Sequence, residues 1–167
     1  DLVRSRGLGD VYKRQPLWRP TISGHDNIPT HGGVIMACNH QAAAETYFVP
    51  CQIEREVHWL GKDALFKGKG PAGKLFAWIM RSVNVIPVDR SGTGRANAAL
   101  TAGIELLNSG KLLGVFPEGT RSPDGRLYKG KTGAVRLALA TGAPIVPVAV
   151  LGAFESKKEG SVLPRRS

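Results

Sequence analysis

Short, nearly continuous apolar runs recur along the chain: VIMAC at 34–38, VHWL at 57–60, VNVIPV at 83–88, LLGVF at 112–116 and IVPVAV at 145–150. Their length and β-branched content predict strands, and the scarcity of alternating polar positions predicts that helices cover both faces of the sheet. Between these runs the pattern changes period. PAGKLFAWIM opens with Pro71 in the first turn of a helix, Leu100, Ile104 and Leu107 recur at helical spacing until Gly110, and a last helix runs from about Thr132 to Thr141 before Gly142. Strands alternating with helices predict an α/β fold, a central, mostly parallel sheet flanked by helices in a single domain. No internal repeat or linker divides it.

In such folds ligands gather beyond the carboxyl ends of the strands, so polar residues there are the informative ones. Three clusters occupy those places: residues 39–45, Asp89 with Arg90, and residues 117–122. In the first, CNHQAAAETYFVP, His40 leaves a strand and Glu45 follows in a segment with helical character. Five residues subtend about 500° on a helix, so the two side chains share no face if both are helical, and His40 belongs in the preceding turn. From there its ring can lean over the helix N-terminus, where Glu45 accepts the proton of one ring nitrogen and leaves the other free to take a proton from a hydroxyl. The spacing alone fits equally a turn histidine beside a solvated acid.

In the third cluster, within FPEGTRSPDG, Glu118, Gly119, Thr120 and Arg121 follow a strand. Gly119 permits close backbone approach, Thr120 adds a donor, and Arg121 offers a planar donor fork suited to a phosphate. SPDG reads as a β-turn whose polar side chains serve geometry.

Composition narrows the classes. A chain of 167 residues with 42% apolar and 22% charged residues buries enough surface to hold a core without disulfide or metal, which excludes disorder. Its 21 glycines and 11 prolines follow no collagen period. Cys38 and Cys51 form one bridge at most and read as reduced, buried thiols. His25, His31, His40 and His58 show no zinc-ligand spacing, so no metal is expected. No apolar run reaches the roughly 18 residues of a membrane span. The net charge of +10 favours polyanions or an anionic membrane surface. Seven Lys and Arg face two Asp between Lys62 and Arg95, and with Lys129 and Lys131 these cations suit an anionic head group. Few aromatics are interleaved with them, so nucleic acid is not the expected partner. Residues 1–15 have no apolar period and resemble translated sequencing-adapter artefacts; setting them aside as non-native leaves +8.

Taken together, NHQAAAET, VIPVDR, FPEGTRS and PIVPVAV lie in the order and spacing of four motif blocks, and over residues 24–152 the sequence resembles the glycerolipid acyltransferases, most of all the 1-acylglycerol-3-phosphate acyltransferases. The resemblance implies acyl transfer from acyl-CoA or acyl carrier protein, as co-substrate and with no cofactor, to the free hydroxyl of a lysophosphatidate, giving phosphatidic acid. It implies His40 as the base and Glu45 as its orienting carboxylate, although the usual pattern has Asp there. It implies acceptor binding by Arg90, Glu118, Gly119, Thr120 and Arg121, with Lys62 as a further phosphate contact. Ala42 stands where the family commonly has Ser. Family members also carry an N-terminal hydrophobic anchor and a further C-terminal segment. Residues 16–167 are therefore expected to be an acyltransferase domain truncated at both ends, held at the cytoplasmic face of the cell membrane. The alternatives are a related enzyme with another lysophospholipid or glycerol 3-phosphate as acceptor, and a non-catalytic module binding anionic lipid or nucleic acid.

Overall fold

The computed structural model describes residues 21–43, 45–88 and 95–154. Five strands, β1 (Val34–Cys38), β2 (Val57–Lys62), β3 (Val85–Val88), β4 (Leu112–Val115) and β5 (Ile145–Val148), form one sheet in the order β3-β2-β4-β1-β5, every neighbouring pair parallel. Parallel neighbours need crossovers, which helices supply. These are α1 (Glu45–Cys51), α2 (Gly70–Ser82), α3 (Arg95–Asn108) and α4 (Gly133–Thr141).

The strand side chains alternate between two apolar layers. Val34, Met36 and Cys38 of β1 pack with Val49 of α1 and Met80 of α2, whereas Ile35 packs with Leu106 and Leu107 of α3 and Leu137 of α4. Each face thus carries two helices, as the unbroken apolar runs required. Four residues of β1 are buried, but β5, at the sheet edge, alternates between exposed and half-buried positions.

The apolar runs and the strands differ at their ends. VNVIPV was expected to be one strand, but Val83 caps α2 with its N–H on Ile79 O at 3.2 Å, and β3 starts two residues later. Between them Asn84 takes φ 56°, a left-handed conformation that asparagine tolerates, and offers its carbonyl to Trp59 N at 3.1 Å. Phe116 and residues 149–150 also leave their predicted strands, because the sheet pairing ends at Val115 and Val148.

The topology fixes where a site can form. The chain runs outward through β1, β2 and β3, then returns to insert β4 between β2 and β1. The segments following β1 and β4 are therefore spatial neighbours at the carboxyl edge, at the point where the winding reverses. At the opposite edge the Arg55 guanidinium donates to the carbonyls of Pro29, Gly32 and Gly110 at 2.6, 2.7 and 2.9 Å.

Candidate active site

Glu45 opens α1, and its carboxylate turns back over the loop that precedes the helix. Oε1 accepts the N–H of Gln41 at 2.7 Å and of Ala42 at 2.8 Å, and Oε2 lies 2.7 Å from His40 Nδ1. The side chain is 1% exposed, so this buried charge is compensated by three directed contacts, each stronger for being charge-assisted. Ala42 makes its contact through the backbone, which a serine at that position would supply in the same way.

The imidazole is also held from its face. Its ring stacks on Phe116 at a centroid distance of 3.8 Å, and Phe116 stacks on Trp59 at 4.7 Å. Trp59 and Gly114 are register partners on β2 and β4, and a Cβ on Gly114 would fall 2.6 Å from the indole ring. Glycine at 114 thus lets Trp59 lie flat across β4 and support the stack. Neither aromatic was singled out from sequence; the signal lay in the Phe that opens FPEGTRS. Asn39, inside the first cluster, was given no role of its own from sequence. Its side chain donates to Val150 O at 2.9 Å and accepts from Val150 N at 2.7 Å, which ties the end of β1 to the chain leaving β5.

The FPEGTRS segment lies directly against His40. Ser122 N–H donates to His40 O at 2.7 Å, so the peptide joining Arg121 to Ser122 abuts the histidine backbone. Gly119, Thr120 and Arg121 are exposed, and Gly119 has φ 74°, where a side chain would be strained. Lys131 crosses over Gly119, its Nζ 2.9 Å from where a Cβ would stand, and brings a second cation to the arm that carries Arg121. Glu118, expected among the phosphate contacts, is instead 6% exposed, with Oε1 accepting His40 N–H at 3.0 Å and Oε2 accepting Tyr128 N–H at 3.1 Å. Lys62 is exposed at the carboxyl end of β2, on the same edge of the sheet. Arg90 lies outside the described residues.

The turn at Ser122-Pro123-Asp124-Gly125 serves geometry, as its sequence suggested. Asp124 accepts Arg126 N–H at 3.1 Å, a bond that is the main reason its carboxyl titrates below the usual range, and Gln41 donates to Gly125 O at 2.8 Å. Burial, with the Glu45 charge second, pushes the Cys38 thiol up to about 12, so this residue, two positions before His40, stays a protonated core side chain and no nucleophile. His58, inside the sheet on β2, has its pKa lowered, first by burial and then by the charge of Lys111, and takes no part in the site. Among the described residues no group of three His, Cys, Asp or Glu side chains is placed to hold a metal ion.

The arrangement can do one kind of chemistry well. A histidine with one nitrogen committed to a buried carboxylate can take a proton through the other, next to an exposed arm rich in anion-binding groups. The model of the acyltransferase family matches residues 19–151.

The chain belongs to the acyltransferase family.

Relatives within this acyltransferase family agree with that placement. The chain is 29% identical over 147 residues to the chloroplastic 1-acyl-sn-glycerol-3-phosphate acyltransferase BAT2 of Brassica napus, covering 87% of this chain and 41% of the relative. It is 32% identical over 137 residues to the 1-acyl-sn-glycerol-3-phosphate acyltransferase of Bacillus subtilis, covering 80% and 63%. The crystal structure of the 1-acyl-sn-glycerophosphate acyltransferase PlsC from Thermotoga maritima superposes with a TM-score of 0.64 at 28% identity, covering 86% of this chain and 54% of that one. The chain thus spans about half the length of the acyltransferases it matches.

Proposed function

We propose that this acyltransferase moves a fatty acyl group from a thioester, acyl-CoA or acyl carrier protein, to the free hydroxyl of 1-acylglycerol 3-phosphate. The observation that carries the reading is the His40–Glu45 contact of 2.7 Å, made beside the exposed Gly119–Arg121 arm. With Nδ1 engaged by Glu45, Nε2 takes the acceptor's hydroxyl proton as the oxygen attacks the thioester carbonyl. The tetrahedral oxyanion collapses, the C–S bond breaks, and the imidazolium returns the proton to the departing thiolate sulfur. Acyl group and proton are both accounted for, and neither a covalent acyl-enzyme nor a cofactor is needed. Arg121, with Lys131, Lys62 and Arg90 as further cations, holds the acceptor phosphate so that its hydroxyl stays at attack distance.

The test is an acylation assay with a panel of acceptors. Turnover is expected on 1-acylglycerol 3-phosphate and not on the same lipid lacking its phosphate. Arg121→Ala is expected to raise KM for the phosphorylated acceptor about tenfold to a hundredfold, the loss expected when a charged hydrogen bond disappears. Equal use of the two acceptors would overturn the assignment, and preference for glycerol 3-phosphate would move it to a related acceptor.

The same reading includes attachment to an anionic membrane surface, at the cytoplasmic face of the cell membrane. Its support is on α2, where Phe76, Ile79 and Met80 pack inward while Leu75 and Trp78 stand 58% and 55% exposed, with Lys74 and Arg81 also exposed. An apolar stripe flanked by cations suits a helix lying in a lipid interface. None of the described helices is long and apolar enough to cross a membrane. Sedimentation with phosphatidylglycerol-containing vesicles is expected to weaken by roughly tenfold in Trp78→Ala and to fall in high salt, since each cation near such a surface contributes about 1 kcal/mol. Binding that ignores both changes would remove α2 from the contact.

A further inference from the structure

The backbone of His40 is held in place by the segment that follows β4. The His40 N–H donates to Glu118 Oε1 at 3.0 Å and its carbonyl accepts from Ser122 N at 2.7 Å, so both of its main-chain hydrogen-bonding groups end in the FPEGTRS segment. The second oxygen of Glu118 accepts Tyr128 N–H at 3.1 Å, and the side chain is 6% exposed. Ser122 is 2% exposed and closes its own turn, donating through Oγ to Arg126 O at 2.8 Å. In between, Gly119, Thr120 and Arg121 are exposed. The segment therefore alternates in role along its length: Glu118 and Ser122 are buried and stitched to the histidine, and the three residues between them are open to a ligand.

A carboxylate is a poor partner for a phosphate. It would set like charge against the anion, and the oxygens of this one are already directed at N–H donors of the protein. From this geometry we infer that Glu118 is a positioning residue: it fixes the height of His40 above the arm that carries Arg121, and so sets the distance from Nε2 to the acceptor hydroxyl, while making no contact with the acceptor itself. This rests on His40 being the base. The physical reason is that the loop after β1 and the loop after β4 have no strand pairing between them beyond Val115, so the Glu118 and Ser122 contacts replace the sheet in setting their spacing. A shift of about 1 Å at such a point costs up to about a hundredfold in rate.

Glu118→Gln tests the inference in the full chain. Glutamine keeps the shape and one acceptor oxygen but turns the other contact into a donor facing a donor. The expected result is a fall in kcat of about tenfold to a hundredfold with KM for 1-acylglycerol 3-phosphate held within about twofold, the opposite split from Arg121→Ala. A raised KM with kcat intact would make Glu118 an acceptor ligand and overturn the inference, as would no change in either constant. If the glutamine variant proves too unstable to assay, Glu118→Asp, one methylene shorter, carries the same test. A second readout needs no substitution: the amide hydrogens of His40 and Tyr128, both outside helix and strand, are expected to exchange slowly in the unmodified protein, and free exchange at both would also overturn it. His40→Ala assayed alongside separates the two levels. If that variant stays active, the base assignment itself has failed; if it is inactive while Glu118→Gln changes only KM, the base stands and the positioning role alone falls.

Discussion

His40→Ala is expected to lower thioester-dependent acylation by about 10²–10⁴-fold, the range associated with loss of a positioned general base. The loss should fall on turnover, because the substitution spares the scaffold. The two main-chain bonds of residue 40, to Glu118 and from Ser122, survive in alanine. Glu45 keeps its two contacts with the N–H groups of Gln41 and Ala42. What disappears is the imidazole and its stack on Phe116. Release of free thiol from the acyl donor, followed with and without acceptor, reads the chemistry, and a thermal melt checks that the fold persists. Turnover within a few-fold of the parent would defeat the assigned base and with it the proposed mechanism.

The strands and helices were legible because burial on both sheet faces writes itself as apolar runs, and the runs at 34–38 and 112–116 landed within a residue of β1 and β4. The overrun at residues 83–84 has a local cause. Val83 continues an apolar pattern whether it ends a helix or begins a strand, and the left-handed Asn84 that decides between them carries no periodic signal. The His40–Glu45 pair was legible in part: the helical period forbade a shared face and placed His40 in the turn, but the spacing fitted a solvated acid equally well, and the family resemblance named Glu45 as its partner. Long-range contacts to main chain were not legible. Asn39 meets Val150 and Glu118 meets His40, and in each case the partner is a peptide group that any residue type presents. A motif marks such a carboxylate as important but says nothing of whether it faces a ligand or a backbone amide. The stack of Trp59, Phe116 and His40 was hidden in another way, since its three rings come from three segments and meet only because glycine at 114 clears the space.

Glu45→Gln is expected to cost about 10³–10⁴-fold in kcat while leaving the structure almost unchanged, and the reason is the direction of the hydrogen bonds. Oε1 accepts two backbone N–H groups, from Gln41 and Ala42, so in the variant the amide oxygen must take that place. The amide nitrogen then occupies the position of Oε2, 2.7 Å from His40 Nδ1. An amide NH2 only donates, so Nδ1 must become the acceptor, and the ring proton moves to Nε2. That nitrogen is the one the mechanism needs bare. The imidazole keeps its place against Phe116 and its distance from the Arg121 arm, yet presents a proton where it should present a lone pair; a tautomer reversed in this way costs about 10⁴-fold where a histidine base has been tested against an amide in place of its carboxylate. Steady-state acylation kinetics on Glu45→Gln, with KM for the acceptor expected to stay close to that of the parent, measure the effect. Near-parental kcat in this variant would mean that the buried carboxylate does not set the tautomer, leaving Glu45 only the task of tying the loop at Gln41 and Ala42 to the start of α1.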